Sequence, residues 1–104
     1  MIVRQFLAEV SRSNAGKYFA FFRDVVVPRL KAIPGHHGAL VLSREDEGNV
    51  VITVLTFWES NEAIQRFAGD DPTTAVVEPQ ARALLSSYAH RVTQMTVEVD
   101  TLEG

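Results

Sequence analysis

The chain has 104 residues, a length suited to one domain, with 46 % hydrophobic and 22 % charged residues and a formal net charge of −3. Its ten Lys and Arg are scattered rather than clustered, which argues against a nucleic-acid partner. The absence of cysteine removes disulfides, thiolate nucleophiles and cysteine metal sites, and no apolar run approaches the roughly 18 residues of a membrane-spanning helix.

The first residues enter a strand pattern rather than a basic and then apolar leader, so an untargeted cytoplasmic protein without a membrane partner is expected. Met1 to Val10 reads as a strand, with Val3, Gln5, Leu7 and Glu9 on one face and Ile2, Arg4, Phe6, Ala8 and Val10 on the other. Ser13 or Asn14 is the expected N-cap of a helix beginning at Ala15. Tyr18, Phe19, Phe22, Val26, Leu30 and Ile33 follow helical spacing. Pro28 interrupts that stripe without ending it, which predicts one bent helix closed by Pro34-Gly35.

His37 to Glu45 is a second strand, and Asp46-Glu47-Gly48-Asn49 a hairpin turn in which Gly48 and Asn49 tolerate positive φ. Val50 to Trp58 returns antiparallel. Ser60 caps a helix with Ala63, Ile64, Phe67 and Ala68 on its apolar side and Gly69 past its end. Asp70-Asp71-Pro72-Thr73-Thr74 is a loop, Ala75–Val77 a short helical turn, and Pro79 to Leu85 a further helix. Ser86 to Val99 is mainly a last strand, and the tail from about residue 100 is loose within a single domain spanning 1–104.

The order β-α-β-β-α-(α)-β is that of an α+β ferredoxin-like fold, a four-stranded antiparallel sheet with helices on one face. Both faces of the strand 50–58 are apolar: Val51, Leu55 and Phe57 on one, Val50, Ile52, Val54 and Trp58 on the other. An antiparallel strand with a wet face alternates apolar with polar. Helices cover one side, so the expected cover for the other is a second copy, a homodimer through the sheet faces.

Pro34-Gly35-His36-His37-Gly38-Ala39-Leu40-Val41-Leu42 resembles a helix-to-strand junction of the antibiotic biosynthesis monooxygenase (ABM) family. The segment from Val54 to Ile64, with Phe67-Ala68-Gly69-Asp70-Asp71-Pro72 after it, resembles the same family. The resemblance covers most of the chain and implies a dimeric α+β barrel with a pocket between sheet and helices, a strand tryptophan forming one wall. Trp58 matches that tryptophan. Polyketide-type members carry an asparagine four residues earlier, where this chain has Val54. Haem-degrading members carry an asparagine on the first strand and a histidine on the helix after the tryptophan. Here the first strand offers Gln5 and Phe6, and residues 61–69 contain no histidine, which disfavours haem degradation.

The implied activity is cofactor-independent oxidation of a small electron-rich aromatic, a quinol or polyketide-like phenol, by O2. Such chemistry needs an ionised substrate, a dry pocket and a polar group for the proton or the anion. Trp58 is the expected stacking wall and indole donor; Tyr18, Phe22 and Phe67 are further ring contacts, and Gln5 and Arg82 polar ones. Tyr18 and Phe22 are also core residues by spacing, and Arg82 fits a solvated helix face. His36 and His37 point to opposite sides of an extended segment, so they do not share a metal; one of them is the expected proton acceptor. His90 reads as surface or interface. No Gly-rich phosphate loop, G-x-S-x-G or H-E-x-x-H motif occurs. The alternatives are a non-catalytic dimeric module that binds a small ligand or serves structurally, and an isomerase or cyclase of the same superfamily.

Overall fold

The computed structural model describes residues 1–102, so the last part of the expected loose tail lies outside the described residues. The fold is α+β and ferredoxin-like. β1 (Ile2–Ser11) pairs antiparallel with β3 (Asn49–Trp58) along its whole length, Ile2 opposite Trp58 and Ser11 opposite Asn49. β2 (His36–Asp46) pairs with the other edge of β3. The free edge of β1 is covered in two pieces, β4 (Leu85–Tyr88) along its C-terminal half and β5 (Thr93–Thr96) along its N-terminal half.

The single last strand read from the sequence is therefore divided, and the sheet has five strands in four lanes. The reason lies in residues 89–92, which leave the sheet to hold the loop before the last helix. The Ala75 N–H donates to the His90 carbonyl at 2.9 Å and the Val92 N–H to the Thr73 carbonyl at 2.8 Å. With these contacts in place, Ala75–Val77 does not form the expected helical turn.

Parity sorts the sheet into two surfaces. Phe6, Ala8 and Val10 of β1 stand beside Val54, Ile52 and Val50 of β3, and this surface joins Tyr18, Phe22, Leu30, Ile64 and Ala81 in one core. Fully burying a side chain such as Ile52 or Ile64 contributes about 1.5–3 kcal/mol. The other surface is uncovered by the chain's own helices: Leu7, Leu40, Leu42 and Met95 are 41–47 % exposed.

The first helical run is continuous from residue 12 to 31 in three parts: α1 (Arg12–Phe21), a π-helical turn (Phe22–Val26) and α2 (Val27–Lys31). Its cap is Ser11 rather than Ser13 or Asn14. Ser11 is the last strand residue, and its extended backbone lets Oγ accept the Asn14 N–H at 3.2 Å. Pro28 has no N–H to give the Asp24 carbonyl, and its ring would crowd that oxygen in a regular α-helix. The wider turn absorbs the mismatch, the Val27 N–H reaching back five residues to the Phe22 carbonyl.

The β2–β3 hairpin turns at Asp46–Asn49 as expected, with positive φ at Glu47 (49°) and Gly48 (87°) rather than at Gly48 and Asn49. α3 (Asn61–Ala68) is capped by Ser60, whose Oγ accepts the Ala63 N–H, and ends at Gly69 with φ 80°. α4 (Pro79–Leu84) begins on its proline. No helix among the described residues is long and apolar enough to cross a membrane.

Gly35 locks the junction between α2 and β2 against α3. It has φ 91°, its carbonyl accepts the Glu59 N–H at 2.8 Å, and a Cβ there would lie 2.6 Å from the Ala63 Cβ. Gly35→Ala is expected to destabilise the fold by about 1–3 kcal/mol in urea unfolding. Ala63→Gly added to that variant is expected to restore the part that comes from the clash.

Candidate functional site

A cavity of about 60 Å³ lies between the helix-covered sheet surface and the first helical run. Arg4 and Phe6 of β1 and Val54 and Thr56 of β3 form its floor. Tyr18, Phe22, Val26 and Leu30 form its roof, and the π turn brings these residues, four apart, onto one side with less drift than an ordinary helix allows. Phe67 closes one side; Val76, Val77 and Glu78 close another. A cavity of about 150 Å³ is what an engineered benzene site offers, so an aromatic guest here displaces part of the wall. Phe67 is half-buried and Val76 is exposed, which marks the side that yields.

Two polar side chains interrupt the floor, and they are direct cross-strand neighbours: Arg4 faces Thr56 in the β1–β3 register. Arg4 is buried, with 4 % exposure. Its Nη2 donates to the carbonyls of Pro72 and Thr74 at 3.1 and 3.0 Å, and the guanidinium stands 5.5 Å from the centre of the Phe67 ring. Nε is buried and has no partner among the described residues. Burial pushes the Arg4 guanidinium down from its ordinary value, although arginine keeps its charge in proteins. The Thr56 oxygen accepts the Trp58 indole N–H at 2.8 Å, so the hydroxyl's own hydrogen is free to point elsewhere.

The expected site residues separate into four places. Tyr18, Phe22 and Phe67 come together on the cavity wall. Trp58 does not line it: the indole is fully buried behind Phe67, stacked at 5.5 Å and 28°, and its N–H is already used by Thr56. His36 and His37 are also elsewhere. They border an open groove between α2 and the start of β2, separated from the cavity by Leu30. His36 sets its ring edge-on to Trp58 at 4.9 Å, and burial, with the neighbouring His37 second, pushes it below its ordinary value. His37 is exposed. Gln5 lies on the opposite sheet surface, paired between Leu55 and Thr93. Arg82 is exposed on α4, in keeping with a solvated face.

The loop residues Asp70 to Thr74 do the structural work expected of them. The Asp71 carboxylate accepts bonds from the Thr73 N–H, both threonine hydroxyls and Arg91. These donors, Thr73 foremost, hold its pKa at about 2. Further along, the Glu78 carboxylate pairs with Arg29 of α2, so the segment 70–78 is tied to both layers that enclose the cavity.

Together these features describe a small α+β protein with a cavity between sheet and helices. No family model matches the chain, and no curated protein matches it. Solved structures do. A point mutant of MhuD with two manganese protoporphyrin IX bound per active site aligns with TM-score 0.70 at 21 % identity, over 99 % of this chain and 100 % of that one. MhuD is a haem degrader of Mycobacterium tuberculosis. A Bacillus cereus protein provisionally described as an antibiotic biosynthesis monooxygenase aligns with TM-score 0.67 at 15 % identity, over 99 % and 98 %. A monooxygenase from the gene ActVA-Orf6 of Streptomyces coelicolor, in complex with nanaomycin D, aligns with TM-score 0.61 at 16 % identity, over 99 % and 92 %. The chain shares its fold with these structures, among them the one described as an antibiotic biosynthesis monooxygenase, as the sequence resemblance implied.

The cavity wall holds no histidine, cysteine or methionine, and its one tyrosine, Tyr18, is kept protonated by burial, so the wall offers a haem iron no ready axial ligand.

Burial pushes the Tyr18 hydroxyl up to about 12 from its ordinary value of 10.0, so it is a neutral donor at the cavity roof and not a base. Above pH 10 the unfolded tyrosine sheds its proton while the folded one retains it. Stability is therefore intact below that pH and falls as pH rises toward 12. Across this window the parent is expected to lose up to about 1.4 kcal/mol per pH unit more than Tyr18→Phe, measured as unfolding free energy in urea.

Proposed function

We propose that this protein oxidises a small electron-rich aromatic, a quinol or polyketide-like phenol, with O2 and without a bound cofactor. The observation that carries this reading is the aromatic-walled cavity between sheet and helices, lined by Tyr18, Phe22 and Phe67, which a planar ring enters by displacing part of the wall. The fold shared with monooxygenase structures supports it. In the reaction, a ring C–H becomes C–O, one oxygen atom enters the product and the other leaves as water, and the substrate supplies all the electrons. A phenol with a free para position gives a quinone and one water. The chain contributes exclusion of bulk water, a fixed ring plane and a polar floor.

The second reading is a binding module of the same fold without catalysis. Its supporting observation is that neither histidine reaches the cavity wall, leaving Glu78, engaged by Arg29, as the carboxylate there.

Oxygen uptake with a panel of quinols separates the two. Turnover above a buffer blank is expected, with Phe67→Ala lowering kcat/KM at least tenfold and His37→Ala leaving it unchanged. Binding of the panel without oxygen uptake favours the module.

The same reading pairs two copies through the open sheet surface, where Leu7, Leu40, Leu42 and Met95 are too exposed for a lone protomer. Light scattering after size exclusion is expected to give a dimer, and Leu40→Asp with Leu42→Asp a monomer. A monomeric parent contradicts the pairing.

A further inference from the structure

Arg4 carries a buried charge that the protein leaves unneutralised. No carboxylate lies within ion-pair distance of it among the described residues. Two backbone carbonyls and the Phe67 ring solvate the guanidinium but bring no negative charge. An ion held in this way is costly, and an apolar side chain of similar size would avoid the cost.

We propose that Arg4 and Thr56 form a cradle for the anionic oxygen of the ligand, so that the cavity takes aromatic anions in preference to neutral aromatics. By class these are aryl carboxylates, and phenols or quinols in their ionised form. The inference rests on the reading of the cavity as the ligand site and names what that site selects.

Several independent features converge on it. Arg4 Nε is a buried donor without a partner, on a side chain that forms the cavity floor. Thr56 stands opposite Arg4 in the strand register, also on the floor. Its oxygen already accepts from the Trp58 indole, which leaves the hydroxyl hydrogen for a second acceptor. Trp58 is thus a positioning residue that acts through Thr56. Glu78, the acidic residue on the wall, is held by Arg29. A phenol whose oxygen lies on Arg4 binds more tightly as the anion, so the Arg4 charge lowers its pKa against the desolvation that raises that of Tyr18. Favouring the anion in this way serves the activation an oxygen-consuming reaction needs, in a cavity with no histidine in its wall.

The test is isothermal titration calorimetry of the full chain with 2-naphthoate and its neutral isostere 2-naphthamide. The carboxylate is expected to bind at least tenfold more tightly. Arg4→Met is expected to abolish that ratio, Arg4→Lys to retain part of it, and Thr56→Val to reduce it. Trp58→Phe is expected to lower the carboxylate affinity severalfold while the amide affinity stays, a pattern that general loosening of the core does not produce. Parent protein that binds both probes equally, or the amide more tightly, overturns the cradle and leaves the cavity reading standing. Parent protein that binds neither overturns both. The parent comparison needs no variant to fold.

Discussion

The pairing of β1 with β3 is the constraint from which the site follows. Ten residue pairs in unbroken antiparallel register set Arg4 beside Thr56 and Phe6 beside Val54 on the surface that faces the helices. Side chains alternate with a period of two, so a slip of one residue would carry this whole set to the opposite surface. The guanidinium would then stand in the open and Leu7 would take a place in the core. The apolar partners Ala8–Ile52 and Val10–Val50 oppose such a slip, since each loses its buried surroundings if the register moves. The polar floor is thus held by the packing of residues that never touch a ligand.

Above that floor, the helical run accommodates Pro28 without ending. The π turn widens the helix where it passes over the cavity, and Phe22 and Val26 both belong to the turn and to the cavity roof. A sequence irregularity and a cavity wall therefore coincide in one segment. The segment 70–78 completes the enclosure by a different means. It contains no helix or strand, only a turn and the Thr74–Arg91 bridge, and is held by Arg4 beneath, by residues 90–92 beside it and by Arg29 above.

Where sequence periodicity was strong, it read the structure well. The alternation in 50–58, the stripe from Tyr18 to Leu30 and the caps at Ser60 and Gly69 all reflect local rules that packing did not override. Tyr18 and Phe22 were legible as neighbours because helical spacing puts them on one stripe, and Phe67 because it falls on the apolar side of α3; all three line the cavity. Arg4 was visible as a charged residue on an otherwise apolar parity, beside Ile2, Phe6, Ala8 and Val10, and that mismatch was the available signal. Its partners were not legible, because they are backbone carbonyls 68 and 70 residues away. Val76 to Glu78 carry no period to read. His36 and His37 stand out because imidazole suits a proton acceptor, but their segment, with a register irregularity between His36 and Gly38 at the strand start, borders the groove beside α2 and not the cavity. The break in the last strand depends on pairing with residues 73–75, a distant contact that no local pattern announces.

The chain contains one tryptophan, and that indole is sealed behind Phe67 with an imidazole at its edge. Its light emission therefore originates in dry surroundings, from a single source one ring away from the cavity. Any guest that shifts Phe67 alters the stacking that the chromophore senses. The molecule carries its own optical gauge of occupancy, with no label to attach and no second emitter of the same kind to subtract.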